Sequence, residues 1–261
     1  MTSATVSGGR SRHATPASPV DGIAFARLLR VEWAKTVNTR SARWLIAASA
    51  LLAVAATAIP LGFPDDIDQT QASYLSFPAL ASALLLPVTS VLALTTEWTQ
   101  RTVLVTYTLE PRRGRVLRAK IAAGLLLGLL AGLFALLVGF ASIALAEGIG
   151  RDVANPDGTG PLLGLIPFVL LNMLSGMAFG AVLHNTAAAV VLLYVLPTVW
   201  NIIAVGALAE IGEWLDPTQS MAWLLDGTLG DNAARFVTSM LIWIALPLGL
   251  GLLRTARREV S

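Results

Sequence analysis

The sequence predicts an all-α, polytopic membrane protein: six transmembrane helices with both termini in the cytoplasm, preceded by an amphipathic interfacial helix. Three observations carry this. Of the 261 residues, 55% are hydrophobic and only 13% are charged, against about 25% charged in a soluble domain. The few charges are clustered, which leaves long runs without Asp, Glu, Lys or Arg. Sixteen of the eighteen Lys and Arg fall on segments that six crossings place on one side, and such basic segments mark the cytoplasmic face.

Residues 1–20 are rich in Ser, Thr, Gly, Ala and Pro, with Arg10, Arg12 and His13. They offer little surface to bury and are expected to be a disordered tail. Over residues 21–43, Phe25, Leu29, Trp33 and Val37 recur every fourth position with Leu28 beside them, which defines one helical face. Arg27 and Arg30 fall on another face. The segment is too charged to span, so it is expected to lie at the inner interface with its basic groups toward headgroups. Glu32 falls within the apolar arc and needs a partner. A cation from the stretch 97–120 is one candidate; water or a local pair with Lys35 is the alternative.

Trp44 to Gly62 is the first uncharged run; at about 1.5 Å per residue it spans about 28 Å, close to the hydrocarbon thickness. The lead before it is too long for the basic region of a cleaved signal peptide, so a retained span is expected. An acidic loop with Asp65, Asp66 and Asp68 follows. The second span is Tyr74 to Thr96 with Pro78 and Pro87 inside it, tolerated in a membrane helix where neighbours satisfy the freed carbonyls. Then comes a charged stretch, residues 97–120, with Arg101, Arg112, Arg113, Arg115, Arg118 and Lys120 against Glu97 and Glu110.

The third span is Ile121 to Ala146. Its Gly124, Gly128 and Gly132 share a face and permit close helix packing. Asn155-Pro156-Asp157-Gly158 marks a turn in the following polar loop. The fourth span is Pro161 to Leu183, and a three-residue break, 184–186, precedes the fifth, Ala187 to Ala209, which contains Pro197. Residues 210–232 form an acidic loop whose Trp214 and Trp223 suit a membrane–water interface, with room for a re-entrant or surface helix. The sixth span is Phe236 to Leu253, and Arg254, Arg257 and Arg258 stand in a basic tail over 254–261. The transmembrane domain is thus 44–253, with spans at about 44–62, 74–96, 121–146, 161–183, 187–209 and 236–253. Eleven of the sixteen acidic residues fall on the side opposite the basic segments.

The six runs contain no Asp, Glu, Lys or Arg, which argues against a proton- or sodium-driven pump, because such pumps carry coupling charge near the midplane. His184 stands at a helix end and is expected to be a boundary residue rather than a proton relay. Asn172, Ser175, Thr198 and Asn201 are the notable polar groups of the second half, suited to interhelical hydrogen bonds or to contact with a cargo. A GxxxxGK[ST] phosphate loop is missing, and Gly-Lys does not occur at all. Neither HExxH nor GxSxG is present, and cysteine is lacking. The expectation is therefore no catalytic residue, no cofactor and no metal site in this chain. The pI of 9.4 reflects basic segments beside spans and does not suggest nucleic acid.

Several of these residues resemble a known family. Glu97-Trp98, Thr102, Glu110-Pro111-Arg112-Arg113-Gly114-Arg115-Val116 and Ala119-Lys120 are similar to the loop between spans two and three of ABC-2 type ABC transporter permeases, the membrane subunits of bacterial ATP-driven exporters. Arg30-Val31-Glu32-Trp33-Ala34-Lys35, with Arg40-Ser41 and Trp44, resembles the family's entry helix. Many members carry Gly before the loop Thr, where this chain has Arg101. The resemblance implies a homodimer or heterodimer of permease chains in the bacterial plasma membrane. It also implies a partner ATPase that binds ATP and Mg, and export of a cargo.

The resemblance further implies an ATPase-coupling interface of Glu97, Trp98, Arg101, Thr102, Val103, Leu104, Tyr107, Leu109, Glu110, Pro111, Arg112, Arg113 and Arg115. A short coupling helix at about 98–110 would sit in a groove of the ATPase. Pro111 would end that helix, and the arginines would meet carboxylates or lipid phosphates. The interface helix would contribute Phe25, Leu29, Glu32, Trp33 and Lys35, and the uncharged lining suits an amphipathic or hydrophobic cargo. The rival readings are a non-transporting membrane anchor or sensor subunit and an intramembrane enzyme.

Overall fold

The computed structural model describes residues 24–100, 112–206 and 209–257. Among these the chain is helical with no strand, and six helical stretches are long and apolar enough to cross a membrane, the number the sequence predicts.

Helix α1 (Phe25–Asn38) and α2 (Arg40–Ala56) meet at Thr39, which is extended (φ −69°, ψ 148°) and caps α2 by accepting from the Ala42 amide. An N-cap hydroxyl satisfies one of the orphan amides of a helix start. Here it places Arg40 to Arg43 on the spanning helix rather than on the entry helix. Helix α3 (Ala58–Gly62) continues α2. Next come α4 (Gln71–Thr99) and α5 (Arg113–Gly148). At 36 residues, α5 is about 54 Å long, well beyond a hydrocarbon core of about 30 Å. Helices α4 and α5 therefore extend past the apolar runs that predict them and take in both edges of the charged stretch, Glu97 to Thr99 and Arg113 to Lys120.

The remaining elements are α6 (Gly160–Leu183), α7 (Thr186–Gly206), α8 (Ala209–Leu215), α9 (Pro217–Leu225), a 3-10 turn (Leu229–Asn232), α10 (Ala233–Met240), a π-helical turn (Leu241–Ala245) and α11 (Leu246–Arg257). Most of the expected 210–232 loop is thus helical. Asp216 accepts from the Thr218 and Gln219 amides with Pro217 at the first helical position, which is how a helix start is written in sequence. His184 ends α6 in the left-handed conformation (φ 52°), so the break between the fourth and fifth spans is a tight turn.

Helices α4 and α6 form the centre of the bundle, packed most extensively on each other. The largest core cluster lies where Leu75 and Ala79 of α4 meet Leu165 and Phe168 of α6, Met221 and Leu224 of α9, and Ile244 of the π turn. The glycine face of α5 turns to α6: a Cβ at Gly124 would meet Met177 Cε at 2.0 Å, and one at Gly128 would meet Met173 Cγ at 2.9 Å. The outward faces of α2 and α7 stay apolar and exposed, with Trp44 at 77% and Ile202 at 70%. Exposed apolar surface on this scale needs a non-aqueous neighbour, as a transmembrane protein has.

The two ends of the bundle differ in charge. The basic end gathers α1, the end of α4, the start of α5, His184 and Arg254. The acidic end gathers the loops around Asp65 and Asp157 with α8 and α9. At the acidic end Arg151 donates to the Pro60 and Leu61 carbonyls at 3.0 and 2.7 Å, closing the end of α3. The backbones of Gln69–Gln71 and Ala154 pair alongside (Gln71 N to Ala154 O, 2.8 Å).

Candidate functional site

The strongest polar constellation lies at the basic end and begins with the orientation of α1. Of the stripe Phe25, Leu29, Trp33 and Val37, Phe25 is 42% exposed, while Trp33 and Val37 pack against the cluster of Leu86, Leu127 and Met173. The buried residues are Leu28, Glu32 and Thr36, one position round the helix. Leu28 packs on Val116 and Ala119 of α5. An acid on the inward face is expensive unless paired, and the structure supplies the pairs.

Glu32 Oε2 accepts from Lys120 Nζ at 2.7 Å, and Glu32 Oε1 from Lys35 Nζ at 2.8 Å. Lys35 Nζ also donates to Glu97 Oε1 at 2.8 Å, and Lys120 Nζ lies 3.1 Å from the same oxygen. Two carboxylates and two ammonium groups from α1, α4 and α5 thus close a ring of alternating charge. The loop-side cation and the local lysine proposed as rival partners of Glu32 both engage it. Glu32 is 2% exposed and Lys120 8%, so the Glu32–Lys120 edge is shielded from water, while Lys35 stands half in solvent. Burial pulls the Lys35 ammonium pKa down, but the hydrogen bonds to Glu32 and Glu97, and their charges, outweigh it and hold the group above its usual 10.5. Beside the ring lies a cavity of about 350 Å³ lined by Thr36, Thr39, Thr89, Thr96 and Gln100.

The coupling residues divide around this ring. Glu97 is a member of it. Trp98 lies one residue on, its ring 4.3 Å from that of His184 at a tilt of 53°. Arg112 precedes α5, whose first residue is Arg113, and the Arg115 amide donates to the Arg112 carbonyl at 2.8 Å. Arg101, Thr102, Val103, Leu104, Tyr107, Leu109, Glu110 and Pro111 lie outside the described residues. The described chain stops at Gln100, three residues after Glu97, and resumes at Arg112, eight residues before Lys120.

A second constellation lies toward the acidic end. Asn172, Ser175 and Thr198 line one cavity of about 450 Å³ between α4, α6, α7 and α9. Their bonds do not cross between helices: Asn172 donates to Phe168 O at 2.9 Å and Thr198 to Tyr194 O at 2.8 Å, each within its own helix. Asn201 stands elsewhere, donating to Asp216 Oδ2 at 2.8 Å beside a separate polar pocket with Glu213, Gln219 and Arg235. The 450 Å³ cavity also takes in Tyr194, whose hydroxyl donates to Leu84 O, and Trp243, whose Nε1 donates to Leu215 O at 2.7 Å.

Asp226 stands at the rim of that cavity. Burial, and then the charge of Asp157, push its carboxyl above the ordinary range. Tyr194, Trp243 and Asp226 were not singled out from the sequence. Only Tyr194 carried a signal: it stands four residues before Thr198 and so shares its helical face. Among the described residues no cluster of His, Asp and Glu is arranged to hold a metal ion.

No protein-family model matches the chain, and no curated protein matches it either.

Proposed function

We propose that this chain is the permease subunit of an ABC-2 type exporter in the bacterial plasma membrane. In this reading it is a multi-pass protein with its basic end and both termini in the cytoplasm. A second permease chain completes the translocation path, and a separate ATPase binds ATP and Mg. The chain itself carries no catalysis. The observation that carries the reading is the ion ring, which ties the entry helix to the ends of α4 and α5, where the segment 101–111 departs.

A force applied to that segment reaches both spans and α1 together, because buried ion pairs resist separation more than exposed ones do. Closure of an ATPase dimer on ATP would then favour one arrangement of the spans over another through differential affinity. Val103, Leu104, Tyr107 and Leu109 give the segment apolar contact, and Arg112, Arg113 and Arg115 give it charge. The cavity lined by Asn172, Ser175 and Thr198 is largely apolar and supports a small amphipathic or hydrophobic cargo.

The test is co-purification. The tagged chain is expressed with the ATPase encoded nearest to it and extracted in mild detergent. A stoichiometric ATPase that is lost when residues 98–110 are scrambled is the expected result. In the same assay Arg112→Glu with Arg113→Glu weakens ATPase recovery, with accessibility mapping used to check insertion. A folded, inserted chain that brings down no ATPase overturns the permease reading in favour of a membrane anchor or sensor subunit.

A further inference from the structure

Between α1 and α2 on one side and α4 and α5 on the other runs a cleft of about 520 Å³, separate from the cavity at the ion ring. Its size lies within the usual range for ligand pockets, about 300–1,000 Å³. Its walls are apolar, with Trp33, Ile46, Leu127 and Phe134, while Asn38 and Arg43 stand at the basic end. An apolar slot that finishes in a cation and an amide has the polarity of an amphiphile with an anionic head.

Three details favour phosphate as that head. Arg43 has no ion pair and no side-chain hydrogen bond among the described residues. The nearby acids of α1 and α4, Glu32 and Glu97, are already engaged by Lys35 and Lys120. The N-terminus of α2, with Thr39 as its cap and Arg40 in its first turn, lies at the same end, and helix N-termini favour anions. The outward side chains of α2, Trp44 and Leu51, are exposed and apolar, so in a bilayer the cleft opens to lipid rather than to water.

We infer that this cleft holds one phospholipid of the leaflet at the basic end, with an acyl chain between α2 and α5 and its phosphate at Arg43 and the start of α2. The site rests on the membrane-spanning character of the helices and not on the transport reading. The lipid fills the space that the α1–α2 bend leaves open, so it braces α1 on the face next to the ion ring. An anionic headgroup is preferred over a zwitterionic one, because the head meets Arg40 and Arg43 with no free acid beside them among the described residues.

Native mass spectrometry tests this on the purified, delipidated full chain, titrated with phosphatidylglycerol, with phosphatidylcholine and with soluble glycerol phosphate. The expected result is one saturable phosphatidylglycerol, bound more tightly than phosphatidylcholine and not displaced by glycerol phosphate. Arg43→Gln should weaken it about fivefold, the effect of about 1 kcal/mol for one basic group at a headgroup, and Arg43→Lys should restore most of the binding. Ala47→Phe, at an exposed position on the cleft wall, should fill the slot and weaken both lipids alike. Equal binding of the two lipids overturns the headgroup assignment. Wild-type binding in both Arg43→Gln and Ala47→Phe overturns the site, and displacement by glycerol phosphate reduces it to an anion site without a chain.

Discussion

At the basic end of the bundle, four charged side chains from three helices close a ring across gaps in sequence of up to 88 residues. At the acidic end, backbone meets backbone: a Cβ placed on Gly164 of α6 would lie 1.7 Å from the Leu224 carbonyl oxygen of α9. The first joint is electrostatic and half open to solvent at Lys35, the second a direct contact between main chains. Ion pairs can be exchanged one for another, whereas a contact between main chains has a single fit. A shift between helices is therefore expected to cost less at the ion ring than at the α6–α9 contact.

The largest expected effect comes from breaking the ring at its buried edge. Lys120→Met leaves Glu32 and Glu97 short of a cation in a shielded site, and removal of one partner of a buried pair costs about 3–5 kcal/mol. The unfolding midpoint in mild detergent should fall accordingly. Adding Glu32→Met to Lys120→Met should recover most of the loss, because the uncompensated charge goes with it. Lys35→Met, at the half-exposed corner, should cost no more than about 1 kcal/mol. If Lys35→Met and Lys120→Met prove equal, the ring is uniformly solvated and the contrast between the ends disappears.

Next in size is the steric end. Gly164→Ala drives a methyl group into the α9 backbone and should cost about 3 kcal/mol, read as a lowered unfolding midpoint with early proteolysis after α9. Gly124→Ala meets only the flexible tip of Met177, which can swing aside, and should cost less than half as much in the same melt. Equal losses would show that the α6–α9 contact has slack.

The smallest effect is electrostatic and belongs to the acidic end. Asp226 has its carboxyl pKa raised in the fold, so its ionised form is the disfavoured one. The fold is therefore relieved of this cost below the ordinary carboxylate range and bears it as pH rises through the raised value. Asp226→Asn should raise the midpoint slightly at pH 7 and leave it unchanged at pH 3, with a flatter pH profile between.

The six apolar stretches were legible from composition alone, because a bilayer demands helices of one length and excludes charge from them. The close approach of α5 to α6 was legible too, from Gly124, Gly128 and Gly132 at intervals of four. The ion ring at α1 was legible only in part: the place of Glu32 in the apolar arc calls for a cation, but no local pattern fixes the positions of Glu97 and Lys120 beside it. The charged edges at Glu97 and Lys120 read as loop by composition, yet they continue helices once each charge has a partner. Asn172 and Thr198 were visible as polar residues, but their shared cavity with Tyr194 and Trp243 arises only when four helices come together. The start of α9, by contrast, is written plainly in Asp216-Pro217, within a stretch that by composition reads as an acidic loop.

The π turn at Leu241–Ala245 gives the sixth span a property that no other span has among the described residues. A π turn carries one residue more than the α-helix around it needs, and it absorbs that residue locally instead of passing it on as a rotation of about 100°. Loss of one residue within 241–245 would return the span to plain α-helix with its flanks still in phase. Loss of one residue beyond Leu246 would swing Gly251 away from Ala181, against which it now lies too closely for any side chain. The span therefore holds a single residue of spare length midway along it, and its two halves keep their own registers: Met240 on the core at one end, Gly251 on α6 at the other.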